Sequence, residues 1–183
     1  HPKDAPQLFF GVMAPWNRAY RRTLFTEGGI RFATKVWYED IRIVTKVLAL
    51  AEQVVRLPGA YYHYLQREGS AMNNKNCARN VEILYAFDDI LGWFGEHGLR
   101  EAYRDELTFL AISHLLIAAS VRVARIDCKS ELLGQFRDYM EKNFPDFREN
   151  RYLPRLDPSV LCLPLLAEGP AVLHPAVRPC AGP

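Results

Sequence analysis

The sequence predicts a mostly helical chain interrupted by a short tyrosine-rich β segment. Three observations carry that expectation. Apolar residues recur at helical spacing directly after Glu39-Asp40, and again from Cys77 to about residue 143. Two stretches rich in Val and Tyr, Gln53–Leu57 and Ala60–Gln66, flank the turn pair Pro58-Gly59 and read as strands around a turn. With 183 residues, 49% hydrophobic and 24% charged, the chain has enough apolar material for one sizeable core and falls outside the disordered class.

Taken in order, Pro15 suits a first helical turn and Gly28-Gly29 suits a helix end, which predicts a helix over 15–27 with a glycine C-cap. On such a helix Trp16, Ala19, Tyr20, Thr23 and Leu24 share one face, and Arg18, Arg21 and Arg22 point away from it. A second helix is predicted to open near Asp40, since Ile43, Val44, Val47, Leu48 and Ala51 follow at the right spacing. Residues 67–76, beyond the two predicted strands, have turn chemistry and read as a loop. From there the pattern is helical over 78–97, about 101–124 and 129–143, with breaks at Gly98 and around Asp127 and Ser130. Beyond Pro154 the composition changes. Residues 158–183 hold six of the twelve prolines and, as charged side chains, only Glu168 and Arg178, so no regular structure is predicted there. The organisation expected is therefore a first part over 1–76, a helical cap over 77–153 and a Pro-rich irregular tail over 154–183.

A formal charge of +2 is too small for nucleic-acid binding by bulk electrostatics. Cys77, Cys128, Cys162 and Cys180 lack the close pairing of zinc or redox motifs, which predicts reduced thiols in a cytoplasmic protein. The apolar run Leu107–Ala124 contains Ser113, His114, Ser120 and Arg122, so a buried core helix is expected in place of a membrane span. No secretory leader is legible, and His1 in place of an initiating Met raises the expectation of a piece of a longer protein.

The most suggestive chemical element is Trp37-Tyr38-Glu39-Asp40 at a predicted helix start. Transfer of a group to a hydroxyl needs a base to take the proton, and a carboxylate near a helix N-terminus is kept ionised by the local positive potential. The same placement also suits an ordinary N-cap. Downstream, Arg67 has the planar fork that matches phosphate oxygens, Gly69 permits close backbone approach and Ser70 adds donors; a surface turn accounts for the same residues. Trp16, Asn17 and Tyr20 could present aromatic faces and an amide to a sugar, or serve as core. His63, His97 and His114 have no partners at ligand spacing, and no metal ligand is predicted.

The ordered series Ala14-Pro15-Trp16-Asn17-Arg18-Ala19-Tyr20-Arg21-Arg22-Thr23-Leu24-Phe25, Gly29-Ile30-Arg31-Phe32, Tyr38-Glu39-Asp40 and Tyr62-His63-Tyr64-Leu65-Gln66-Arg67-Glu68-Gly69-Ser70 resembles the latter part of family-2-type bacterial inverting glycosyltransferases. These enzymes build capsule, exopolysaccharide and other cell-surface glycans. The resemblance covers about residues 12–76. It implies an α/β fold of the GT-A (nucleotide-diphospho-sugar transferase-like) type, of which this chain would be a mostly α-helical fragment. It also implies Asp40 as the catalytic base of a single-displacement transfer, with Glu39 as a supporting carboxylate. Trp16, Asn17, Tyr20 and Trp37 would border the acceptor, and Arg67, Gly69 and Ser70 would close over the donor diphosphate.

The family's donor half, with the Asp-x-Asp motif that holds a divalent metal, has no counterpart here: no Asp-x-Asp occurs, and Asp88-Asp89 falls on a predicted helix. Magnesium or manganese is therefore expected only with a missing N-terminal half, without which the chain should not transfer sugar. The implied partners are a nucleotide-diphosphate sugar and a glycan or lipid-linked acceptor, with no nucleic acid. The implied location is the cytoplasm, at the inner face of the membrane, where peripheral attachment and a homo-oligomer are both compatible with the resemblance. A rival expectation is a non-catalytic helical module that binds protein or glycan, or an inactive remnant of such an enzyme.

Overall fold

A computed structural model describes residues 1–65 and 77–157. The described part is 60% helical, with no strand among its residues. Its helices are α1 (Thr23–Thr26), α2 (Glu39–Leu50), α3 (Glu82–Glu96), α4 (Arg104–Ile126) and α5 (Leu132–Asn143), joined by short 3₁₀ turns.

Helix α2 is the hub. From Ile41 to Ala49 only Arg42 keeps more than a sliver of surface, because two apolar clusters meet on this helix. On one side Ile41, Val44 and Leu48 join Phe9 and Met13 with Phe87 and Phe94 of α3, Leu107 and Leu115 of α4, and Phe136 and Met140 of α5. On the other, Ile43 and Val47 pack with Ile30 under Tyr20, Leu24, Phe25 and Trp93. One core thus draws on residues from both sides of position 76. Two polar groups drawn in on α2 are satisfied: Thr45 Oγ1 donates to the Ile41 carbonyl at 2.6 Å, and Lys46 Nζ meets Asp89 Oδ2 of α3 at 2.6 Å.

Helix α4 is long and apolar enough to cross a membrane, yet 67% of its most apolar window is covered by the rest of the chain. Its middle, Ile112–Ala119, is wound as a π-helix. The predicted breaks are in place, with Gly98 at φ +65° after α3 and α4 ending at Ile126.

Two expectations are corrected. The helix predicted over 15–27 is a single turn at Pro15–Asn17, an extended Arg18 (φ −139°, ψ 150°) and then α1. Its predicted end is right: Gly29 takes φ +65°, which glycine adopts without a Cβ clash. The strands predicted over 53–57 and 60–66 are absent as far as residue 65. Val and Tyr favour strands only where a neighbouring strand covers them, and among the described residues none does. Instead Val55, Tyr61 and Leu65 are exposed, and the Tyr61 hydroxyl donates to the Pro58 carbonyl at 2.6 Å. The predicted loop 67–76 and nearly all of the tail lie outside the described residues.

Candidate active site

Asp40 is the second residue of α2, not its cap. The capping position belongs to Tyr38, held in the left-handed region at φ 62°, ψ 28°, with no side-chain cap bond. Asp40 therefore does not hold the N-cap position, yet its carboxylate still serves the helix end, because it takes up backbone N–H groups of the first turn, which have no intrahelical partner. Its Oδ1 accepts from the Ile41 N–H at 2.7 Å. Burial raises the carboxyl above its ordinary pKa; the Ile41 bond opposes the rise, Glu39 adds to it, and the charge of Arg122 opposes it again. A half-buried carboxylate raised in this way is a stronger proton acceptor than a solvated one.

The two residues before the helix are tied from afar. Trp37 donates its N–H to Glu82 Oε2 at 2.6 Å, and Arg79, ion-paired to Glu82 Oε1 at 2.6 Å, lies over the Trp37 ring at 4.7 Å. The Tyr38 hydroxyl accepts from Arg122 Nη1 at 2.9 Å and donates to Asn80 Oδ1 at 3.0 Å. Arg79 and Asn80 come from the Cys77–Val81 turn, Glu82 from the start of α3 and Arg122 from α4.

Of the residues expected at the acceptor, Trp16 lies in the turn packed against α2 and is 41% exposed. Tyr62 and Tyr64 stack on it at 4.6 and 4.7 Å, forming an exposed aromatic surface. Asn17 is exposed beside it. Tyr20 turns inward to the smaller cluster, edge-on to Phe25 at 5.6 Å, and Trp37 has one face covered by Arg79. Arg67, Gly69 and Ser70 lie outside the described residues. A groove of about 530 Å³ opens elsewhere, between the start of α4 and residues 143–150, lined by Arg100, Arg104, Asp105, Asp146 and Asn150 and by none of the candidates.

No family model, curated protein or solved structure matches this chain. The chemistry of the site accordingly rests on its own residues. Among those described, no group of three or more His, Cys, Asp or Glu is placed to hold a metal ion. The sequence reading missed Arg79, Asn80, Glu82 and Arg122 as parts of this site. For Arg122 a signal existed: a charged side chain within an apolar run must find a partner wherever that run is buried, in protein as in lipid.

Proposed function

We propose that this chain supplies the acceptor and catalytic-base side of an inverting transfer of sugar from a nucleotide-diphosphate donor to a hydroxyl, on a GT-A type α/β fold completed by a donor half. The observation that supports this best is Asp40: a carboxylate in the first turn of α2, raised in basicity by burial, outside the N-cap position and with its Oδ1 bonded to the Ile41 N–H. In the proposed step the acceptor oxygen forms a bond to the anomeric carbon while the bond to the diphosphate oxygen breaks on the opposite face. Asp40 takes the hydroxyl proton as that bond forms. The described residues do not make the metal site the family uses, which belongs with the donor half.

The proposal carries with it a cytoplasmic setting at the inner face of the membrane and a glycan or lipid-linked acceptor. In the protein that contains the donor half, Asp40→Asn is expected to lower kcat by about 10²–10⁴-fold with little change in the KM for donor. Turnover close to that of the unaltered protein would remove Asp40 from the chemistry.

The aromatic surface of Trp16, Tyr62 and Tyr64 favours a second reading, a glycan-binding module without catalysis. Under that reading oligosaccharide binding, measured by calorimetry, is lost in Trp16→Ala, unchanged in Asp40→Asn and unaccompanied by transfer.

A further inference from the structure

Tyr38 poses a physical problem that the fold alone does not answer. A non-glycine residue at φ 62° is strained and persists only where its surroundings over-determine it. Helix α2 does not need that strain to be anchored, since Ile41, Val44 and Leu48 are already sunk in the core. What the strained residue does control is the direction of the first turn, and hence where the Asp40 carboxylate points.

The hydroxyl of Tyr38 is fixed by two partners on two other elements. Arg122 Nη1 donates to it at 2.9 Å, and it donates to Asn80 Oδ1 at 3.0 Å. Asn80 is fully buried and is itself locked, its Nδ2 donating to the Cys77 carbonyl at 3.0 Å. The Arg122 guanidinium also lies 5.7 Å from the centre of the Tyr38 ring. The same guanidinium is close enough to Asp40 for its charge to act there.

Resting on the glycosyl-transfer reading above, we propose that Tyr38, Asn80 and Arg122 form a positioning clamp that aims the Asp40 carboxylate at the acceptor hydroxyl, with Arg122 as its charge partner. The titratable groups that face Asp40 are Glu39 from its own helix, the Tyr38 hydroxyl from two positions earlier and Arg122 from α4. The Ile41 and Asp40 backbone N–H groups favour the ionised carboxylate most, and Arg122 adds to them as the one charged side chain that does so. His114, further along α4 and within reach of the same arginine, is held neutral at neutral pH and does not compete. Arg122 thus steadies the strained residue and offsets part of the desolvation of the base.

The test uses Tyr38→Phe, Arg122→Gln and Arg122→Lys beside Asp40→Asn. The Asp40 side-chain carboxyl is titrated by carbon NMR in this chain, and transfer kinetics are measured in the protein that contains the donor half. Arg122→Gln is expected to raise the Asp40 titration midpoint, as loss of a neighbouring opposite charge does. Arg122→Lys should return most of that shift. Tyr38→Phe should lower kcat by about 10- to 100-fold, the range expected when a reacting group is misplaced, with acceptor KM little altered. In Arg122→Gln the acidic limb of the kcat profile should move with the NMR midpoint. Should Arg122→Gln fail to fold, Tyr38→Phe still decides the matter.

An unmoved midpoint in Arg122→Gln, or kcat within about twofold of the unaltered protein in Tyr38→Phe while Asp40→Asn is inactive, overturns the clamp and leaves the transfer reading standing. Normal turnover in Asp40→Asn overturns the transfer reading itself.

Discussion

His114 lies on the π-wound stretch of α4, and its imidazole is pushed down to about 4, by burial first and by the charge of Arg122 second. An unfolded histidine titrates near 6.5, so between roughly pH 6.5 and 4 the unfolded chain binds a proton that the folded chain refuses. Stability contributed by the neutral ring is complete above the unfolded value and falls as pH drops through that window, by up to about 3 kcal/mol. Urea denaturation across the window should show that loss, and His114→Gln should flatten it. Asp40 acts with the opposite sign, because a carboxyl raised by burial binds its proton more readily when folded and so gains stability as the solution is acidified. In His114→Gln the remaining pH dependence should accordingly shift toward that of Asp40. The burial of His114 was legible in the apolar run around it, but the surroundings of Asp40 were not. Asp40 was found through its place at a helix start, whereas Asn80 and Arg122, the partners of its strained neighbour Tyr38, lie 42 and 84 positions from that neighbour along the chain.

Among the helices, a glycine pair gives the sharpest test. A Cβ on Gly28 would sit 2.3 Å from the Leu24 carbonyl oxygen and 2.7 Å from Leu50 Cδ1, so Gly28→Ala must displace backbone where α1 meets α2. Gly29 has open space around it and needs glycine only for its φ of +65°. By chemical denaturation Gly28→Ala is expected to cost about 1–3 kcal/mol, an overpacking loss, and Gly29→Ala about 1–2 kcal/mol from backbone strain alone. Helices α2 to α5 were readable because each repeats its apolar residues over several turns, and Gly98 marked a real break. The first helix was over-read because Pro15 and Gly29 supplied both boundary signals, while the stretch between them carries its apolar residues into two different contacts: Trp16 outward to Tyr62 and Tyr64, Tyr20 inward to Phe25. In the Tyr-rich segment side-chain stacking on Trp16 takes the place of the ladder that the pattern of Val and Tyr suggested.

At the scale of the whole molecule, the shared core sets what can be separated from what. Phe87, Phe136 and Phe147 are fully buried in the same cluster as Ile41 and Val44, so the first part of the chain and the helical cap should melt together. Phe136→Ala is expected to cost about 3–5 kcal/mol and to lower the stability reported by Trp37 and by Trp93 fluorescence alike. Residues 77–157 made alone should lose cooperative unfolding, since the faces of α3, α4 and α5 that α2 covers would meet water; a sharp transition in that piece would show two units instead of one. The central position of α2 also has a consequence for synthesis. Leu50 leaves the ribosome 90 residues ahead of Met140, which at 5–20 residues per second is roughly 5–20 s. Throughout that interval Ile41, Val44 and Leu48 have no α5 to close over them. A nascent chain stalled before residue 132 therefore presents an apolar helix to holding chaperones and to its neighbours on the same message.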